Sequence, residues 1–235
     1  AALFFVKKKP DADGTEWIRM VVDARQAGAC HRDPPPIALG SARAMSRVSL
    51  NPTVLRDLGG FTAQPEACGG DTDVDDSFYN FSTPTLASWF GLDDGFFGRD
   101  AIACGIHEIW DDTLMCYVRV QASEPLWAVF EALCMGWSWS LYFCQSAFEY
   151  QASLLYPRCT MGMFREHQPA PIIKPGAPAS GLYVDNFNVL GGSRDDVSKS
   201  IENFTDALAQ HEIGTHGHRY CTFELESLGF VIDFT

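Results

Sequence analysis

The sequence predicts an α+β chain, and three stretches carry that prediction. Leu3–Lys9 and Trp17–Asp23 are strand-like runs around Pro10-Asp11-Ala12-Asp13-Gly14-Thr15, which is turn chemistry, so they read as a basic β-hairpin. Gly191-Gly192 opens an amphipathic helix with Val197, Ile201, Phe204 and Leu208 on one face. Two further strand candidates, Tyr220–Glu224 and Leu228–Asp233, follow it. No internal repeat interrupts this order.

Between these anchors the elements are shorter. A short helix is expected near Pro52–Leu58, with Pro in its first turn. Gly69-Gly70 lead into Asp71–Tyr79, Thr83–Phe90 reads as helical, and Leu114–Val120 alternates like a strand. After a turn at Gly136, Trp137–Gln151 suits a helix. Pro169–Gly181 holds four prolines and reads as a loop, and Leu182–Leu190 is strand-like but interrupted by Asp185-Asn186. Ser193 with Asp196 gives the amphipathic helix a capping-box-like start, and Gly214 is expected to end it. Leu126–Phe148 has one charge, Glu131, but also Gly136, Ser138, Ser140 and Gln145, so a buried loop and helix is expected rather than a membrane span.

Composition bounds the function. The 235 residues include 46% hydrophobic side chains, enough for a packed core, which excludes disorder and fibrous classes. Seventeen Lys and Arg against 30 Asp and Glu leave a net charge of −13, the wrong sign for holding phosphate by bulk charge. The charge is uneven: +3 over residues 1–50, −12 over 51–150 and −4 over 151–235. The acidic middle is either a solvated face or includes a cation site.

The eight cysteines never form a C-x-x-C pair, which argues against a zinc ribbon or a thioredoxin-like motif. Cys116, Cys134 and Cys144 lie in apolar runs and are expected to be buried free thiols. Ala1–Val6 has no basic n-region, so an intracellular chain with reduced cysteines is expected. His211 and His216 are five residues apart, about 140° off a shared helical face, so HEIGTHGH fails as a zinc-protease motif.

Two acidic features bear on chemistry. Asp71, Asp73 and Asp75 share a face at strand spacing, and such carboxylates repel unless cations or solvent intervene. Asp185-Asn186 lies among apolar β-formers, where burial is costly. A tight hairpin turn accounts for the pair, and so does a metal held at that turn.

The order of these motifs resembles reverse transcriptases, the RNA-directed DNA polymerases of retroviruses and retroelements, over nearly the whole chain. Lys7-Lys8-Lys9, a turn and Trp17-Ile18-Arg19-Met20-Val21-Val22-Asp23-Ala24-Arg25 look like the fingers hairpin. Asp73-Val74-Asp75-Asp76-Ser77-Phe78-Tyr79 is similar to the first catalytic motif. Leu133-Cys134-Met135-Gly136-Trp137-Ser138-Trp139-Ser140, with Gln145 five further on, looks like the glycine-tryptophan motif under template and nucleotide. Tyr183-Val184-Asp185-Asn186 stands in the place of the Tyr-x-Asp-Asp turn, and Leu228-Gly229-Phe230 resembles the primer-grip hairpin.

The resemblance implies a right-hand polymerase: fingers at 1–60, and a palm at 61–235 made of an antiparallel sheet backed by helices, with a fingers-type insertion around 85–130. The thumb and ribonuclease H of a longer retroelement polyprotein would lie outside this chain. It implies primer extension with deoxynucleoside triphosphates on an RNA or DNA template, aided by Mg²⁺ or Mn²⁺ ions about 4 Å apart. Asp73, Asp185 and Asn186 become the catalytic residues, with Asp73, Asp185 and the Val74 carbonyl as metal ligands. Lys8 and Arg19 would hold the triphosphate, Asp76 and Ser77 would meet it through backbone N–H groups, and Met135 and Gly136 would flank the nucleotide. Phe78 matches the aromatic that excludes a ribose 2′-hydroxyl, although a core Phe explains it equally. His218 falls near the family's proton donor to pyrophosphate. Asn186 replaces the second Asp of the turn, Leu141 stands where Pro is usual, and Met135 replaces a polar residue. The alternative is a catalytically inactive, reverse-transcriptase-like binding or structural domain of a decayed retroelement.

Overall fold

The computed structural model describes residues 2–8, 10, 13–111, 113–155 and 162–234. Ala1, Lys9, Asp11 and Ala12, which figure in the expectations above, and Cys159, one of the eight cysteines, lie outside the described residues. In chain order the elements are β1 (Ala2–Lys7), β2 (Ile18–Asp23), α1 (Arg25–Ala29), α2 (Ala42–Met45), α3 (Pro52–Asp57) and β3 (Cys68–Val74). A 3₁₀ helix at Pro84–Phe90 precedes β4 (Phe96–Phe97), α4 (Gly98–Ala103), β5 (Glu108–Asp111), β6 (Cys116–Arg119), β7 (Pro125–Leu126) and α5 (Ser138–Leu155). Then come β8 (Ala179–Tyr183), β9 (Asn186–Gly191), α6 (Arg194–Ala209), β10 (Thr215–Thr222), β11 (Glu224–Ser227) and β12 (Phe230–Asp233). The chain is mixed α and β with antiparallel sheets, in agreement with the α+β class.

The chain divides into two compact units, Ala1–Asp33 with Phe81–Ser140, and Pro34–Asn80 with Leu141–Thr235. The division differs from the 1–60 and 61–235 expected from the motifs. Residues 34–60 fall in the second unit because Met45, Val48 and Leu55 pack in one cluster with Phe164, Ile173, Leu190 and Leu225.

In the first unit β1 and β2 pair antiparallel, with Lys7 opposite Ile18 and the Lys8 N–H donating to Trp17 O at 2.8 Å. Phe5, Trp17 and Ile18 on this ribbon are exposed. The glycine-tryptophan segment is anchored by Trp137, which is buried and meets His31 and Phe90 edge-on at 5.2 and 5.1 Å. Gly136 has φ +101°, a conformation that glycine adopts without strain, so it turns the chain into α5. The expected strand over Leu114–Val120 shortens to β6, because residues 113–115 form the turn from β5 and Met115 is left-handed at φ +52°.

The second unit is built on a four-stranded antiparallel sheet in the order β10-β3-β9-β8. Helix α6 packs against β10, β3 and β9. Its stripe of Val197, Ile201, Phe204 and Leu208 is completely buried, and Phe204 stacks on Phe187 of β9 at 4.1 Å. Ser193 caps the helix by accepting the Asp196 N–H.

Several expectations need correction. The α6 helix ends at Ala209, five residues before Gly214; Gly214 instead lies where a Cβ would fall 2.3 Å from an Asp75 carboxylate oxygen, so close chain approach is what selects glycine there. Leu228-Gly229 is a turn, with φ +51° and +76°, and not the start of a strand. Tyr220–Glu224 spans the junction of β10 and β11. Cys116 is exposed, whereas Cys134 and Cys144 are buried free thiols whose pKa burial pushes up to about 12. Among the described residues no helix is long and apolar enough to cross a membrane.

Phe204→Ala removes one half of the buried stack and opens a cavity under the central strands. It should lower stability by about 3–5 kcal/mol in a urea titration.

Candidate active site

One face of the second unit's sheet carries polar side chains in two rows. In the first, His216 of β10, Asp73 of β3, Asn186 of β9 and Tyr183 of β8 stand opposite one another. In the second row, two residues along, Arg219, Asp71, Asn188 and Gly181 do the same. Strand alternation puts Phe187 and Val189 on the other face, toward α6. Two bulges in β10, one between His216 and Arg219 and one between Arg219 and Thr222, set this alignment. Each leaves two β10 residues opposite one on β3.

Asp185 sits at the two-residue turn between β8 and β9. Its carbonyl accepts the Val74 N–H at 2.9 Å, which fastens the end of β3 to the turn. The Asp73 carboxyl is held above the ordinary carboxylate range, first by burial and then by the negative charge of Asp185. Its Oδ1 is buried and has no hydrogen-bond partner. The Asn186 amide donates to Asp185 Oδ1 at 3.0 Å. A second Asp at 186 could not make that contact and would add a repelling charge.

The turn is strained. Val184 has φ +57°, which is costly for a β-branched residue. Gln145 of α5, completely buried, offsets that cost. Its Oε1 accepts the Val184 N–H at 2.7 Å and its Nε2 donates to Leu182 O at 3.0 Å. Gln145 Nε2 also donates to Glu149 Oε1 at 2.9 Å, and Glu149 is held by Arg165. Gln145 stands in a motif noted from sequence, but its grip on the turn has no sequence signal beyond that position.

The residues assigned by resemblance fall into two groups. Asp73, Val74, Asp76, Ser77, Phe78, Asp185 and Asn186, with Leu228, Gly229 and Phe230, belong to the second unit. Lys8, Arg19, Met135 and Gly136 belong to the first. Lys8 and Arg19 share a face of the β1–β2 ribbon with Trp17 and are exposed. Asp76 is left-handed at φ +44° and exposed, Ser77 is buried beside Cys144, and Phe78 is half-buried. Phe230 is exposed at the tip of the β11–β12 hairpin.

The three C-terminal histidines serve three different partners. His211 meets the Gln151 amide at 3.3 Å, His216 Nδ1 meets Asp75 Oδ1 at 2.5 Å, and His218 Nδ1 meets the Thr72 hydroxyl at 2.8 Å. Of these, His216 is the one paired in register with Asp73. His218, which the resemblance places near the family's proton donor, lies in the bulge that follows His216, and that shift of register is not legible as a motif. Arg219 and Asp71 were likewise missed as a pair. They are joined through Arg219 Nε to Asp71 Oδ1 at 2.6 Å and a second contact from Nη2 to Oδ2.

Among the described residues no group of three or more His, Cys, Asp or Glu side chains gathers as a metal cluster. Asp73 and Asp185 nonetheless fit a hard divalent ion such as Mg²⁺ or Mn²⁺. The Asp73 oxygen without a partner is the kind of donor such an ion satisfies, and one or two carboxylates with ligand phosphates suffice for Mg²⁺. Comparison with protein-family models and with curated proteins finds no match for this chain.

Two predictions follow from the turn. Gln145→Leu leaves the Val184 N–H without its acceptor, so it should cost about 1–3 kcal/mol in urea unfolding and speed exchange of the Val184 amide. The raised pKa of Asp73 means that the folded chain binds its proton more tightly than the unfolded chain. This group therefore favours folding at pH below the ordinary carboxylate range and opposes it as pH rises through the folded value. In EDTA at pH 7, Asp73→Asn should melt higher than the natural chain, and the gap should close as the pH is lowered toward 3.

Proposed function

We propose that this chain is the fingers-and-palm core of an RNA-directed DNA polymerase, extending a primer 3′-hydroxyl with deoxynucleotides by phosphoryl transfer. The observation that carries the reading is the junction of β3 with the β8–β9 turn. There Asp73 and Asp185, 112 positions apart in sequence, come within electrostatic reach, and an Asp73 oxygen is left for a ligand. The order of the five motifs, two of which contain Asp73 and Asp185, supports it as well.

In this reading Asp73 and Asp185 hold the divalent ions. When bound, Mg²⁺ or Mn²⁺ supplies charge stabilisation for the transferring phosphoryl group and makes the primer hydroxyl a better nucleophile. Gln145 keeps the Val184–Asp185 turn fixed so that the Asp185 carboxylate needs little reorganisation. Arg19 and Lys8 bind triphosphate oxygens, Arg in a planar fork and Lys as a point charge. Phe78 supplies bulk under the sugar, and Gly136 allows close backbone approach beside the base. Divalent ions at Asp73 and Asp185 would offset part of the net charge of −13 at the place where phosphate has to bind.

A second reading, an inactive binding domain of the same ancestry, has one observation in its favour. The Asn186 amide already occupies an oxygen of Asp185.

Primer extension on poly(rA)·oligo(dT) with Mg²⁺ or Mn²⁺ separates them. The polymerase reading expects extension that Asp73→Ala reduces at least about 100-fold. Activity seen solely in Asn186→Asp would identify an eroded enzyme. Silence in the natural chain and in Asn186→Asp would leave the binding domain.

A further inference from the structure

The second polar row does different work from the first. Asp71 is buried, 4% exposed, and two residues from Asp73 on the same face of β3. Arg219 grips it with Nε and Nη2, and Nη2 also donates to the carbonyl of Glu226 in β11. Asn188, opposite Asp71 in register and completely buried, accepts the hydroxyl of Ser227 at 2.6 Å. Glu226 and Ser227 are the last residues before the Leu228-Gly229 turn. The row that begins beside Asp73 therefore ends on the backbone and side chain at the base of that turn.

Apolar packing holds the hairpin from one part of its length. Leu225 is completely buried, and the Phe234 ring lies where a Cβ on Gly69 would collide with it. Nearer the tip the packing is open. A cavity of about 600 Å³ is lined by Met45, Val48, Leu190, Phe230 and Ile232, and Phe230 and Val231 are exposed. Leu228 and Ile232 are half-buried against the core cluster, so the tip is held by this limited packing together with its polar contacts.

We propose that Arg219, with Asp71, Asn188 and Ser227, is a positioning device that fixes the β11–β12 turn relative to the strand carrying Asp73. This rests on the polymerase reading for its consequence: Leu228-Gly229-Phe230 would hold the primer end at a set place along β3. Arg219 acts through the hairpin and does not itself meet substrate. Lysine cannot replace it, because one ammonium cannot span two carboxylate oxygens and a carbonyl in the same planar geometry.

Hydrogen exchange and primer-extension kinetics on Arg219→Lys, Asp71→Asn and Ser227→Ala test the device. Exchange of the amides over 224–233 should accelerate about tenfold or more in the first two and less in the third, while the β8–β9 amides stay unchanged. The KM for primer–template should rise about tenfold, with the KM for deoxynucleotide and kcat little altered. Hairpin exchange unchanged in both Arg219→Lys and Ser227→Ala, or raised equally in β8–β9, would overturn the proposal. So would a loss confined to kcat. If the natural chain extends no primer, the polymerase reading fails, and the exchange data still decide whether the row fixes the turn.

Discussion

Two like charges held together by a sheet are the constraint on which the second unit depends. Asp73 and Asp185 repel, and burial makes the repulsion worse. What keeps them together is backbone: the β3–β9 ladder, the Val74 N–H bond to Asp185 O, and a strained turn clamped by Gln145. The apolar side of the same sheet, with Phe187 on Phe204, supplies the stabilisation that offsets this local cost. The site is therefore a place where folding energy is lost, and the α6 face is where it is recovered.

The legible parts of the fold were those with a period or a stop signal. The stripe from Val197 to Leu208 and its Ser193 cap, the β1–β2 ribbon and the helix after Gly136 follow directly from spacing. The insertion between Phe81 and Ser140 was legible at Thr83–Phe90, where the 3₁₀ helix lies, and little beyond it. Its strands are two to four residues long and its helix α4 spans six, too short for either periodicity to register. Side chains of Asp93, Asp94, Asp100 and Glu108 there are exposed, so much of the acidic middle is a solvated face, while Asp71 and Asp73 are not.

At the site, residue types were readable and their partners were not. The strand spacing of Asp71, Asp73 and Asp75 was evident, yet nothing in the sequence distinguished their fates. One meets Arg219, one keeps an oxygen without a partner, and one meets His216. These fates are decided by β10, whose register shifts by one residue twice. A bulge depends on tertiary pairing, and the left-handed Gly217 within it is a hint that makes sense only once its partner strand is known.

Those bulges also bear on how the chain behaves in company. Strand β10 is an edge of the sheet, and a regular eight-residue edge offers a template on which another copy could add a strand. Two interruptions in eight residues leave no long run of evenly spaced donors and acceptors, and His216 and Arg219 put polar side chains at the border. The irregularity that aligns a histidine and an arginine with the carboxylate strand thus also guards that border against self-assembly. A change that straightened β10 would cost solubility as well as alignment.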